Sequence, residues 1–147
     1  MKIFVTVGST APFDELVGIV DEVVALRKWQ GRAQIGSGSA RPLSLQWYSF
    51  RPSIKPDMEW SDVVVTHAGS CTLLEAIKTD RKVIAVPNPH AQGNIDAVKW
   101  ASEDNYCLLE SLESLPRVLP NIGTYVRKPY TPPGCWIAEK IKEFMVI

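Results

Sequence analysis

The sequence predicts an α/β domain built on a doubly wound, mainly parallel sheet. Three observations carry this. Strand-like apolar runs alternate with segments of helical periodicity, and the connections between them are short and rich in glycine, proline and small polar residues. The run Val63 to Thr66 is continuous in the way of a parallel strand covered on both faces. At 147 residues the chain is long enough for one hydrophobic core and too short for two. A single domain over 1–147 is expected, with 111–147 an irregular segment and a final helix.

The elements follow in order. Lys2 to Val7 is a β-branched run ended by Gly8, Ser9 and Thr10. Phe13, Leu16, Val17, Ile19, Val20, Val23, Val24 and Leu26 then recur at helical spacing, with Asp14 and Glu15 in the first turn, where the helix dipole favours carboxylates. Arg32 to Ile35 makes a second strand stopped by Gly36 and Gly38, and Leu43 to Phe50 alternates well enough for a third. Pro52 and Pro56 bracket a connector before the Val63 strand. Ser70 to Thr79 is helical with Leu73, Leu74 and Ile77 inward; Lys82 to Val86 is a strand closed by Pro87 and Pro89; Asn94 to Ser102 is a helix. Tyr106 to Leu109 reads as an edge strand, and prolines 116, 120, 129, 132 and 133 break the chain before a helix from about Cys135 to Met145.

Composition narrows the function. Lys and Arg number 16 against 16 Asp and Glu, without a basic stripe, so a bound nucleotide is expected to be a small molecule and not a nucleic acid. Cys71, Cys107 and Cys135 are an odd number at wide spacings, as suits reduced thiols in the cytoplasm. The chain enters its first strand without a charged leader, and no apolar run reaches the roughly 18 residues of a membrane span. A lipid substrate would therefore need a partner or a surface patch to bring the chain to the membrane. With only His67 and His90 present, a multi-histidine metal site is excluded. Asp57-Met58-Glu59 reads as a solvated turn, and no cofactor or metal is expected.

Four places carry candidate chemistry. Gly8, Ser9 and Thr10 are small enough for main-chain amides to approach a ligand at the opening of a helix, or form an ordinary tight turn. Gln34-Ile35-Gly36-Ser37-Gly38 ends a strand, and its glycines favour simple termination over a ligand site. His67-Ala68-Gly69-Ser70 precedes a helix whose unpaired N–H groups and partial positive charge suit a diphosphate. Ser70 is alternatively only a cap, although Leu73 occupies the place where a capping box has an acid. Glu75, in an otherwise apolar helix, suits two adjacent ribose hydroxyls or is merely solvated. Pro87 to Asp96 is a polar loop fit to read sugar hydroxyls or to act as a plain connector, and a lone His90 is a weak candidate base.

The segments VTVGSTAPFDEL, QIGSG, SFRPSI and DVVVTHAGSCTLLEA together resemble the cytosolic catalytic subunit of the two-component UDP-GlcNAc transferase of dolichol-linked oligosaccharide assembly, with its prokaryotic polysaccharide-biosynthesis relatives. A more distant similarity is to the carboxyl-terminal half of the GlcNAc transferase that completes lipid II. The resemblance covers about Ile3 to Leu109. It implies a Rossmann-like fold, the carboxyl-terminal half of a GT-B glycosyltransferase. It further implies an inverting enzyme that takes a UDP-sugar, by resemblance UDP-GlcNAc, and passes the sugar to a lipid-linked acceptor together with a membrane-anchored, acceptor-binding subunit. The chain would be cytoplasmic and peripheral to the membrane through that partner.

Carried onto this sequence, the resemblance puts Gly8, Ser9 and Thr10 at the diphosphate and the main chain around Phe50 and Arg51 at the uracil edge. His67, Ala68, Gly69, Ser70, Cys71 and Thr72 would form the phosphate turn, with Glu75 on the ribose and Asn94, Ile95 and Asp96 at the donor sugar. Two departures stand out. Cys71 replaces a second glycine of the turn, and Ile95-Asp96 replaces a His-Gln or Gln-Gln pair. Asp14, His67 and Asp96 all remain open as catalytic base. The final helix carries Ile137, Ile141 and Phe144 on one face, for docking on a partner or for packing on its own sheet. The rival readings are a non-catalytic nucleotide-sugar-binding module and an epimerase-like enzyme acting on the UDP-sugar itself.

Overall fold

The computed structural model describes residues 1–9, 11–91, 95–130 and 136–145, with side chains in the last stretch from 141 onward. Thr10, Asn94, Cys135 and the Ile137 side chain, all named above, lie outside the described residues.

The described residues form a six-stranded, wholly parallel sheet. In chain order the strands are β1 (Lys2–Thr6), β2 (Gln30–Gln34), β3 (Gln46–Tyr48), β4 (Val63–His67), β5 (Lys82–Val86) and β6 (Leu108–Leu109). Their spatial order is β3-β2-β1-β4-β5-β6, so the winding reverses between β1 and β4. That reversal leaves a crevice at the carboxyl ends of the two strands, the place where open α/β sheets hold ligands.

Two apolar layers close the sheet. Helix α1 (Asp14–Arg27) buries Leu16, Val17, Val20, Val23 and Val24 on one face, against Ile3, Val5, Val63 and Val65. On the other face α2 (Lys55–Trp60), α3 (Ser70–Lys78) and α4 (Ile95–Glu103) pack Met58, Leu73, Ile77 and Val98 on Phe4, Val64, Val83 and Ala85. The alternation of strand residues between these two sets is the period of two that a sheet imposes.

Several expectations need correction. The connector at Pro52–Pro56 contains α2, with a proline in its first turn, where a missing N–H leaves nothing unpaired. The third strand is three residues long, because Leu43 is exposed and the amides of Leu43 and Ser44 bond the Asp21 carboxylate. Within 111–147 the chain forms α5 (Leu115–Val118) and a 3₁₀ turn (Leu119–Thr124) that cover the α1 face. Asp57 is not part of a solvated turn: it is 1 % exposed. The last helix, α6 (Trp136–Met145), buries Ile141 in the α3/α4 layer, so that residue packs on its own sheet.

Arg127 ties the late segment to this frame. It is buried, and its guanidinium donates to the main-chain carbonyls of Ile77, Arg81 and Lys128 at 2.8, 2.7 and 3.1 Å. The first of these lies in the last turn of α3, where a cation also suits the helix dipole. Arg127→Met strands those carbonyls and is expected to cost about 3 kcal/mol, read as a lower urea midpoint at unchanged slope.

Candidate functional site

The crevice between β1 and β4 is a cleft of about 220 Å³. From the β1 side it is lined by Thr6, Gly8 and Ser9, from β2 by Gln34, and from α3 by Thr72 and Glu75. Arg51, Pro52, Ser53 and Ile54 form the remaining rim. A second volume of about 350 Å³ between α2 and α3 shares Ser53 and Glu75 with it, so Glu75 borders both.

Close approach of main chain shapes the end of the cleft at the glycine turns. Gly8 has φ +75°, and a Cβ there would lie 2.5 Å from His67 Cε1. A Cβ on Gly69 would overlap the same ring at Nε2. Gly36, at φ +62°, would drive a Cβ to 2.6 Å from the Gly8 carbonyl oxygen. The turn after β2 thus leans on the turn after β1, which leans on His67, which leans on the start of α3. Only glycine allows these contacts, and two of the positions also need the left-handed backbone region.

Helix α3 begins at Ser70 after Gly69 in extended conformation, with no side-chain cap. Its first acceptor bond is Leu73 N–H to the Gly69 carbonyl at 2.9 Å, which leaves the amides of Ser70, Cys71 and Thr72 without intrahelical acceptors. Ser70 is therefore the first helical residue and not a cap. The helix end offers N–H groups and positive potential beside the cleft.

The expected site residues distribute unevenly. Gly8, Ser9, Arg51, Thr72 and Glu75 line the cleft, and His67 and Gly69 stand immediately behind its wall. Phe50 is exposed one residue before the rim, and Cys71 carries an exposed thiol on the first turn of α3. Ile95 lines a different groove of about 470 Å³, with Pro87, Pro89 and Leu109, and Asp96 follows it in the first turn of α4. Asp14 is held by the Ser39 amide at 3.0 Å. His90 is not alone: its Nε2 lies 2.7 Å from Glu15 Oε2, and Asn88 donates to the Pro12 carbonyl at 3.1 Å, so the loop after β5 is tied to the start of α1.

Sequence reasoning missed Thr6, Pro52, Ser53 and Ile54, and weighed the Gln34 to Gly38 segment for its glycines, favouring strand termination, without a role for the Gln34 side chain. The available signal was positional: Thr6 and Gln34 are polar residues at the last positions of neighbouring strands, paired in register. It also missed the anchor of the rim. Asp57 accepts from Tyr48 Oη at 2.5 Å, from Arg32 at 3.1 Å and from Arg51 at 3.5 Å. Arg51 also lies 3.9 Å over the Tyr48 ring, a cation–π contact. Burial, then the bond to the Asp57 carboxylate, pushes the Tyr48 hydroxyl well above its usual range, so it remains a donor.

Burial lowers the His67 imidazole below its ordinary 6.5, opposed by a bond to the Thr6 main chain. The ring is therefore neutral near pH 7, packed between two glycines and 3.4 Å from the Thr66 hydroxyl. Among the described residues no group of three His, Cys, Asp or Glu side chains is placed to hold a metal ion, and no helix is long and apolar enough to cross a membrane.

A Rossmann-like half-domain with an open helix start at its switch point is the class of protein these features define. The chain belongs to the glycosyltransferase family 28 C-terminal domain family, whose model matches residues 2–114. It is 30 % identical over 105 residues to the human UDP-N-acetylglucosamine transferase subunit ALG13, across 63 % of this chain and 9 % of that protein. It thus spans about a tenth of the length of that curated relative. Its fold matches the calicheamicin glycosyltransferase CalG4 at TM-score 0.69 and 13 % identity, over 99 % of this chain and 38 % of that one. It also matches the NMR structure of ALG13 at TM-score 0.62 and 17 % identity, over 89 % of each chain.

Because His67 is more easily protonated unfolded than folded, its contribution to stability is full above about pH 6.5 and is lost as pH falls through its lowered folded value. The urea midpoint of the wild type is expected to drop between about pH 7 and 5 more steeply than that of His67→Asn.

Proposed function

We propose that this chain is the donor-binding subunit of an inverting UDP-sugar glycosyltransferase, taking UDP-GlcNAc and acting on a lipid-linked acceptor with a membrane-anchored partner. The observation that carries the reading is the single wall on which an uncapped α3 start and Glu75 stand together, beside the glycine turn after β1. The match to ALG13, named as a subunit of a UDP-N-acetylglucosamine transferase, supports the donor and the need for a partner.

On this reading the diphosphate lies against the amides of Ser70 to Thr72. Glu75 accepts from the ribose hydroxyls, and the uracil lies toward the rim at Arg51. An acceptor oxygen attacks the anomeric carbon from the face opposite UDP. The new C–O bond forms as the bond to the β-phosphate oxygen breaks, the proton passes to a base, and UDP leaves with the electron pair. Amides fixed before the reaction stabilise the charge that develops on the leaving diphosphate, without reorganising at the moment of transfer. Thr10, Asn94 and Asp96 complete the donor contacts in this assignment. The chain itself is cytoplasmic and reaches the membrane through its partner.

Glu75→Ala is expected to weaken UDP binding about tenfold in calorimetric titration, from loss of charge-assisted bonds to ribose. Unchanged affinity would remove Glu75 from the site. Co-expression with candidate membrane subunits should yield acceptor-dependent release of UDP from UDP-GlcNAc. Binding without turnover under every pairing would favour a non-catalytic module, and acceptor-independent conversion of the sugar would favour the epimerase-like reading.

A further inference from the structure

The floor of the cleft carries two polar atoms that the fold does not use. Thr6 Oγ1 and Gln34 Oε1 have no hydrogen-bond partner among the described residues, although Thr6 is fully buried and Gln34 is 6 % exposed. Both residues line the cleft. Buried oxygens of this kind are uncommon, because each forfeits its bonds to water and gains nothing in return.

Their placement follows from the sheet. Thr6 pairs with Gln34 on one side and with Thr66 on the other, at the carboxyl edge. They share strand parity with Phe4 and Val64, which pack under α2 and α3. The row directly above that apolar layer is polar, and it faces the nucleotide side of the crevice and not the α1 side.

We propose that Gln34, with Thr6, is a recognition residue for the nucleoside part of the donor, taking hydrogen bonds from its N–H or O–H groups. The inference rests on the donor reading above and adds to it residues that reading does not use. The unpaired oxygen of Gln34 is an acceptor, which the hydroxyls and imide N–H of a nucleoside can serve and phosphate oxygens cannot; because the Gln34 amide N–H2 and the Thr6 hydroxyl can also donate, the pyrophosphate titration below separates the two parts of the donor. The diphosphate has the amides of α3 instead. Glu75, a second acceptor bordering the same cleft, makes the site one in which acceptors meet a hydroxyl-bearing ligand from two sides.

A residue kept for recognition behaves differently on replacement from one kept for structure. Near-isosteric apolar substitutions, Gln34→Met and Thr6→Val, delete the orphaned oxygen while filling its space. They should stabilise the ligand-free protein and weaken its binding. The test is titration of wild type, Gln34→Met, Thr6→Val and Glu75→Ala with uridine, UDP and inorganic pyrophosphate, together with ligand-free melting.

The expected result is a roughly tenfold loss for uridine and UDP in Gln34→Met, unchanged pyrophosphate binding, and a melting temperature raised by about 2 °C or more. Thr6→Val should follow the same pattern with a smaller loss. Normal UDP and uridine binding in Gln34→Met, while Glu75→Ala loses UDP, would overturn this inference alone. Melting that falls in step with affinity would also overturn it, as the mark of a structural role. A pyrophosphate loss equal to the UDP loss would do the same. Wild type that binds neither uridine nor UDP would overturn the donor reading and this inference with it.

Discussion

The register of β1 governs the site. This strand pairs in parallel with β2 on one side and β4 on the other, aligning Gln34, Thr6 and Thr66 in one row at the carboxyl edge. Because the chain winds outward in opposite directions from these two central strands, the loops leaving them part and a crevice remains. A slip of one residue would turn Val5 or Val7 into the place of Thr6 and send the polar row into the α1 core. The apolar layer of Phe4 and Val64 under α2 and α3 prevents that slip. The polar row is therefore fixed by the same burial that holds the domain together.

The glycine contacts transmit this register to the turns after β1 and β4. Gly8 can follow Val7 with positive φ and admit the His67 ring, and Gly69 leaves room for the same ring. The imidazole serves as a spacer between the turn after β1 and the start of α3. Neutral near pH 7 through its burial, it fills that gap without an added charge beside the helix end. At the rim a different device operates. A buried carboxylate is tolerated only when donors surround it, and Asp57 collects them from β2, β3 and the loop that follows. The bonds that satisfy Asp57 also orient Tyr48 and draw Arg51 toward the cleft.

How much of this the sequence disclosed depended on how local each cause was. The strands at Lys2, Arg32, Val63 and Lys82 and the helices after Phe13 and Ser70 were legible, since period and glycine punctuation are written in neighbouring residues. The gathering of Gly8, Ser9, Thr72 and Glu75 at one cleft was legible for the same reason. Helix α2 and the turns at 115–124 were hidden by prolines read as breakers; Pro56, Pro116 and Pro120 stand in first turns, where they are compatible with helix. Asp57 looked like a solvated acid because its donors lie nine and 25 positions away in the chain. Thr6 and Gln34 acquire a role only from strand register, which no single segment encodes.

The same geometry bears on where the proton of the proposed reaction goes. Three titratable side chains are engaged elsewhere in the fold: one carboxylate oxygen of Asp14 by the Ser39 amide, His90 by Glu15, and His67 by its seat against two glycines. Freeing any of them for proton transfer would loosen a loop or turn that shapes the crevice. What the domain keeps open instead is a set of main-chain amides at the start of α3, which hold charge and do not exchange protons at neutral pH. On the proposed reading this half stabilises the departing diphosphate, and the base is carried by the surface that brings the acceptor. A wall of this kind suits the proposed division of the reaction between two polypeptides, because each half can be rigid for its own task.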